Sequence, residues 1–470
     1  MSTGNSNTDR RAFIKQSGMV TMGFMGLFQC IQPSSKNGSS SEKIGYGLLE
    51  EDPDKILNLP KGFSYTIISR SGELMDDGLI VPGRPDGMGT FPGKEGKIII
   101  VRNHENSPDD FEEGAFGEHN ENYSSKYAGE LYENGMGSLP GLGGTTTLVY
   151  NPATKKVEKQ FLSLGGTVRN CAGGVTPWGS WLTCEESTVR KGDYDGKLEE
   201  DHGYVFEVPA SEDPMLYTAK PIKEMGRFNH EAVAVDPRTS IVYLTEDRGD
   251  GLFYRFIPDV PGELHSGGKL QALAIVGKPS FDTRNWEDLE TERMPKNKAF
   301  DVEWLDIDDV EAPDDDLRYR GTEQGAACFA RGEGIWFGQG ELYFACTNGG
   351  EISAGQVFKY TPGKNEGKAN EISAPGKLEL FAEPNDTEIL KSCDNVAIAP
   401  WGDLLLCEDR SHPFVVGITP EGNFYKLAEN IGYESEFAGG VFSPDGKTYF
   451  VNIQGAGLTI AIEGPWDQKT

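Results

Sequence analysis

The stretch CAGGVTPWGSWLTCEE, Cys171 to Glu186, returns later in the chain as DNVAIAPWGDLLLCED, Asp394 to Asp409, at identical spacing. Each copy reads as an apolar strand, a Pro-Trp-Gly turn, a second strand, then a cysteine and two acids. A looser copy, EAVAVDPRTSIVYLTED from Glu231, has one more residue at its turn. EGIWFGQGELYFACTN from Glu333 keeps the order without the proline, AGGVFSPDGKTYFVN from Ala438 is a further copy, and TFPGKEGKIIIVRNHE from Thr90 is the weakest. Each hairpin is one supersecondary unit that cannot bury its apolar face alone, so repetition means stacking. Further strand-like runs follow, such as GYVFEV (Gly203 to Val208), GLFYRF (Gly251 to Phe256) and GQVFKY (Gly355 to Tyr360). Six such units predict an all-β chain folded as a six-bladed β-propeller. The spacing between units is long, so some blades carry excursions, the largest expected at Asn106 to Gly141 and Pro258 to Ala327.

Composition limits the partners. The 470 residues include 74 acidic and 44 basic side chains, and a net charge of -30 argues against nucleic acid or an anionic membrane surface. A hydrophobic content of 37% with 60 Gly and 27 Pro fits a folded, turn-rich protein rather than a disordered one. A monomer is expected.

The amino terminus reads as an address. DRRAFIKQSG, Asp9 to Gly18, carries Arg10 and Arg11 ahead of the apolar run Met19 to Phe28. This pattern is that of a twin-arginine export signal, and the run is too short to span a bilayer as a mature helix. Cys30 follows, where lipid attachment and plain cleavage are both open, because Phe28 and Gln29 fit a lipidation signal poorly. SSKNGSSSEK, Ser34 to Lys43, reads as a flexible tether. The expected organisation is therefore a leader and tether over 1–45 and one propeller domain over 46–470. It would be carried folded by the twin-arginine machinery to the periplasm or cell surface.

Counting outward from the turns predicts which side chains meet. Residues equidistant from a hairpin turn face each other, which puts Cys171 opposite Glu186 and beside Glu185, and Glu231 opposite Glu246. It likewise puts Asp394 opposite Asp409 and beside Glu408. Acids would gather at one end of the channel, joined by Glu333 and by Glu105 of RNHE. Such a ring of like charges requires a cation. Carboxylate oxygens suit calcium or magnesium and a thiolate suits iron or zinc, so a mixed site is implied. The chain has no zinc-finger spacing, no HExxH, no complete EF-hand loop, no phosphate-binding Walker loop and no GxSxG. Cys184, Cys346 and Cys407 recur at one strand position and read as a core-packing slot. The acidic run Asp301 to Asp316 reads as a solvated excursion.

The leader, RNHE, NCAGGVTPWGSWLTCEE, GRFNHEAVAVDP, ARGEGIWFGQGELYFACTNGG, DNVAIAPWGDLLLCED and EFAGGVFSPDGKTYFVNIQ together resemble the PhoX alkaline phosphatases over nearly the whole chain. The resemblance implies a six-bladed propeller with a central iron (Fe3+) and calcium (Ca2+) cluster that hydrolyses phosphomonoesters outside the cytoplasm, in the service of phosphate acquisition. It implies Cys171, Glu231 and Glu333 as iron ligands, Glu185 or Glu186 as a calcium ligand, and Arg331 as the phosphate clamp. Glu105, Asp394 and Glu408 lie in family-like motifs without a fixed ligand role. Two alternatives remain at this point: a calcium-dependent propeller lactonase, which Asn395 would suit but which needs neither Cys171 nor Arg331, and a non-catalytic binding propeller.

Overall fold

The computed structural model describes residues 44–469, so the leader, Cys30 and the tether from Ser34 to Lys43 lie outside the described residues. Six innermost strands, Pro85–Pro92, Asn170–Val175, His230–Val235, Gly332–Gly338, Cys393–Ile398 and Phe437–Phe442, surround a single axis. Each packs against the next in chain order, and the last packs against the first. Antiparallel strands continue outward from each, giving an all-β, propeller-like arrangement. The strands pack closely at the axis. A Cβ on Gly87 would lie 2.6 Å from the Cα of Ala172, and one on Gly334 the same distance from the Cα of Asn395. Neither contact could be tolerated, which is why small residues recur at these positions.

Hydrogen bonding groups the strands into five sheets rather than six separate blades. The strand runs that begin at His230–Val235 and Gly332–Gly338 end in Gly268–Ile275 and Lys377–Ala382, and both outer strands pair with Phe300–Asp306. One nine-stranded sheet results. The expected excursion from Pro258 to Ala327 is thus no loose loop: it supplies an outer strand, the bridging strand and a helix at Leu317–Gln324. Part of the acidic run is therefore strand. The other expected excursion holds only short helical turns between His104 and Gly143.

The first long strand, Ser64–Arg70, pairs with Leu458–Glu463 near the carboxyl end, so the two ends of the described chain complete one sheet. Between the sheets lie continuous apolar layers, and Cys184, Cys346 and Cys407 are fully buried in them, as packing residues. All six described cysteines are free thiols. None of the helices among the described residues is long and apolar enough to cross a membrane.

Candidate metal centre and substrate cavity

All six innermost strands carry a β-bulge near the same end. Asn170 pairs with Glu185 and Gly173 with Thr183, so Cys171 and Ala172 together oppose one residue. The same two-against-one step occurs at Asp86-Gly87, Glu231-Ala232, Glu333-Gly334, Asp394-Asn395 and Gly439-Gly440. A bulge re-aims a side chain. Its first residue lines the central cavity in five hairpins, as Asp86, Cys171, Glu231, Glu333 and Asp394, while the sixth contributes glycine and no donor.

The extra residue also corrects the pairing read from the sequence. Beyond a bulge the two strands are offset by one, and an offset of one turns every side chain to the other face. Counting from the turns puts Cys171 opposite Glu186, Glu231 opposite Glu246 and Asp394 opposite Asp409. In two of these hairpins the turn is also centred one register earlier, with Gly174 against Leu182 and Val396 against Leu406. Beyond the bulges Asn170, His230 and Cys393 stand opposite Glu185, Glu246 and Glu408. Glu185 and Glu408 consequently point away from the cavity. Glu185 accepts hydrogen bonds from the backbone N–H of Val168 (2.9 Å), Gly203 (2.9 Å) and Tyr204 (3.2 Å) and meets His202 Nδ1 at 2.7 Å. Glu408 accepts from the N–H of Lys391 (2.8 Å) and Phe414 (2.9 Å) and pairs with Arg410. Neither lines the cavity that holds the other candidate ligands.

In four of the six hairpins the next residue of the second strand turns inward instead. Glu105, Glu186, Asp247 and Asp409 form a second tier of carboxylates. Their backbone N–H groups bond to the carbonyls of Arg84, Arg169, Asn229 and Ser392 at 3.0, 2.9, 3.2 and 2.8 Å. Each tier-two acid is thereby held beside the residue that enters the neighbouring bulge.

The cavity bounded by the two tiers measures about 250 Å³. Oxygens of Glu231, Glu333 and Asp394 lie within 4.8 Å of one another. Burial first, and then neighbouring carboxylates, pushes Asp86, Glu231, Glu333 and Asp394 well above the usual carboxylate range. Burial likewise drives Glu186 up to about 8 and raises the Cys171 thiol, with Glu231 adding to it. The Cys171 Sγ faces the carbonyls of His230 and Glu231, each at 3.3 Å. So many acids cannot ionise together without positive charge among them. The donor set, hard oxygens with one soft sulfur, therefore fits multivalent cations.

The cations that the chain itself supplies are arginines. Arg331 donates from Nε and Nη2 to the two oxygens of Asp247, both at 2.7 Å, and lies 3.1 Å from Glu333. Burial opposes its charge, but these carboxylates hold it above its ordinary range. Its Nη1 makes no hydrogen bond among the described residues, so that end of the fork is available to an anion. Arg169 bridges Glu105 (2.5 Å) and Glu186. Gln454 Nε2 donates to Asp86 (2.8 Å) and Glu105 (2.9 Å).

Of the residues expected from the sequence, Glu105, Cys171, Glu186, Glu231, Arg331, Glu333 and Asp394 share the cavity. Sequence reasoning missed Asp86, Asp247, Glu436, Arg84 and Arg169, and gave Asp409, which it placed at the channel end, no ligand role. Asp86 was detectable: carried back from Thr90 to Pro85, the first hairpin aligns Asp86-Gly87 with Cys171-Ala172. Along the axis below the bulges only a crevice of about 20 Å³ remains, walled by residues such as Met88, Trp181 and Trp336. On the other side the cavity opens into a vestibule of about 550 Å³. Ligand access is from that side.

Comparison with known proteins places the geometry in context. The family model described as alkaline phosphatase PhoX matches residues 44–457. A solved structure of Pseudomonas fluorescens PhoX in complex with vanadate, a transition-state analogue, superposes with a TM-score of 0.64 at 17% identity, covering 90% of this chain and 98% of that one. The likeness extends to the fold. A gluconolactonase from Xanthomonas campestris (TM-score 0.34, 10% identity, 93% and 99% covered) is too distant to carry an argument. The same holds for a putative 6-phosphogluconolactonase from Bacteroides fragilis (0.40, 10%, 90% and 94%). No curated protein sequence matches the chain.

Proposed function

The chain belongs to the PhoX family of alkaline phosphatases and is a phosphoric monoester hydrolase, and from that premise we propose that the bulge-lined cavity is where phosphomonoesters release inorganic phosphate with the help of an iron and calcium cluster. The observation that carries this reading is the convergence of Glu231, Glu333 and Asp394 oxygens within 4.8 Å, in one cavity with Cys171 and Arg331. Cys171, Glu231 and Glu333 are proposed to hold iron. Asp86, Asp394, Glu105 and Glu186 are proposed as the carboxylate set for calcium. When bound, these cations supply the charge compensation that lets a phosphate dianion enter an acidic cavity, and they polarise its oxygens.

The side chains divide the remaining work. Arg331 offers Nη1 to a nonbridging phosphoryl oxygen, a contact that gains strength as negative charge gathers there during transfer. Asp247 holds the other side of the fork through two hydrogen bonds, so the guanidinium meets the substrate already oriented. Arg169 ties Glu105 to Glu186 and keeps these acids from repelling each other. The narrow crevice below the bulges keeps bulk water from the buried face of the site.

At larger scale we read the nine-stranded sheet as two blades joined at their rims by Phe300–Asp306, which makes a six-bladed propeller and one catalytic domain over 46–470. Export by the twin-arginine route, to the periplasm or cell surface, extends the same reading to the leader. Calcium held by carboxylates exchanges faster than iron held in part by a thiolate. Brief chelation should therefore abolish hydrolysis of p-nitrophenyl phosphate, and added Ca2+ alone should restore it. Restoration by zinc or magnesium but not calcium would overturn the proposed cluster.

A further inference from the structure

Two positions before the bulge, three of the six hairpins carry an arginine: Arg84, Arg169 and Arg331. All three have left-handed backbone, with φ of 44°, 50° and 51°. A residue other than glycine is disfavoured there, and such strain persists where the surroundings require it. Here it brings three guanidinium groups to the wall of the same cavity. Two of them are engaged, Arg169 by Glu105 and Glu186, and Arg331 by Asp247 and Glu333.

Arg84 differs. It is half-buried, yet its guanidinium has no hydrogen bond or ion pair among the described residues. The acid nearest in sequence, Asp86, is turned to the axis and bonded to Gln454. Arg84 also lines both the cavity and the vestibule, whereas Arg331 lines only the cavity. The neck common to the two spaces is formed by Arg84, Asp409, Glu436 and Gln454. Burial and then the charges of Asp394, Asp409 and others push Glu436 well above the usual carboxylate range. The neck therefore has one cation of its own, held half out of water without an acceptor, on the path of whatever enters.

Resting on the phosphatase reading, we infer that Arg84 is a second substrate-contacting residue, which takes a phosphoryl oxygen of the ester or of product phosphate from the vestibule side while Arg331 takes one from within. A planar fork of donors matches a tetrahedral oxyanion in a way that a point charge does not. Entry past Asp409 and Glu436 then requires no metal to meet the anion first. The same contact makes Arg84 a determinant of product inhibition.

The test is calorimetric titration of inorganic phosphate into the metal-loaded full-length protein, as wild type, Arg84→Asn and Arg84→Lys, with kcat and KM for p-nitrophenyl phosphate in parallel. Asn tolerates left-handed backbone, so Arg84→Asn removes the charge without changing the chain's path. Arg84→Asn should weaken phosphate binding about tenfold or more and raise KM by a similar factor. It should alter kcat less than about threefold and keep the wild-type melting temperature and metal content. Arg84→Lys should fall between the two, and it decides the matter should the Asn variant not fold. Phosphate affinity and KM equal to wild type in folded Arg84 variants would overturn the inference. Wild-type protein that binds phosphate but hydrolyses no ester would instead count against the phosphatase reading, and the binding comparison would still decide on Arg84.

Discussion

In the proposed mechanism Arg331 is the residue on which the chemistry depends most directly. It is not a lone cation awaiting an anion: Asp247 grips it through two hydrogen bonds of 2.7 Å, and Glu333 lies 3.1 Å away. Its contribution is thus one of orientation as well as charge. Arg331→Lys keeps the charge but cannot both hold Asp247 side-on and present a second nitrogen to phosphate. The rate of p-nitrophenyl phosphate hydrolysis should fall on the order of a hundredfold or more, with little change in thermal stability. Wild-type kcat/KM in that variant would remove Arg331 from the mechanism. At this scale much was legible in the sequence. Cys171, Glu231, Glu333 and Asp394 occupy one position of a repeat, and aligning repeats requires no knowledge of which side chains face each other. Asp86 was hidden because its hairpin lacks the Pro-Trp-Gly turn and was read from Thr90 onward.

At the level of the element, the bulge separates the residues that serve the site from those that serve the fold. Mirror counting about a turn holds only while the two strands run residue for residue. It set Glu185 beside Cys171 and Glu408 beside Asp394 because nothing in CAGGV or DNVAI signals the extra residue. Those acids instead satisfy backbone N–H groups behind the site, and the Glu185 position is also an electrostatic one. His202, fully buried between Glu185 and Glu133, lies 2.7 Å from the former and 3.7 Å from the latter. Burial alone would lower its pKa, but the charge and hydrogen bond of Glu185, with Glu133 close on the other side, raise it to about 9. A folded pKa above the unfolded value near 6.5 means that the protonated triad contributes its full stabilisation below about pH 6.5 and loses it as pH rises through about 9. By that linkage the effect is of the order of a few kcal/mol. His202→Gln should therefore be much less stable than wild type at pH 6, and the difference should narrow steadily toward pH 10 in thermal or denaturant melts. A constant difference across that range would mean that His202 is not charged in the folded protein.

For the whole molecule, the repeat announced an all-β ring of hairpins but not how their rims join. The strand Phe300–Asp306 lies in what reads as an acidic excursion, and its partners come from two different hairpin runs, so no local pattern reveals it. The proposed twin-arginine export has its own test. Replacing Arg10 and Arg11 by Lys should strand active enzyme in the cytoplasm, measured by fractionation, because the folded-protein route reads that pair; undiminished export would remove the basis for the localisation. The central claim is that one ring of bulges builds a mixed iron and calcium centre for phosphomonoester hydrolysis. Its most direct test is the metal content of the purified protein, wild type beside Cys171→Ser, with Cys184→Ser as control. A serine hydroxyl matches the cysteine in size but not in soft donation, so wild type and the control should contain iron and calcium, whereas Cys171→Ser should be folded, depleted of iron and nearly inactive. The control should lose only about 1 to 3 kcal/mol of stability. Active wild-type protein containing calcium without iron, or a Cys171→Ser variant that retains both iron and activity, would contradict the account.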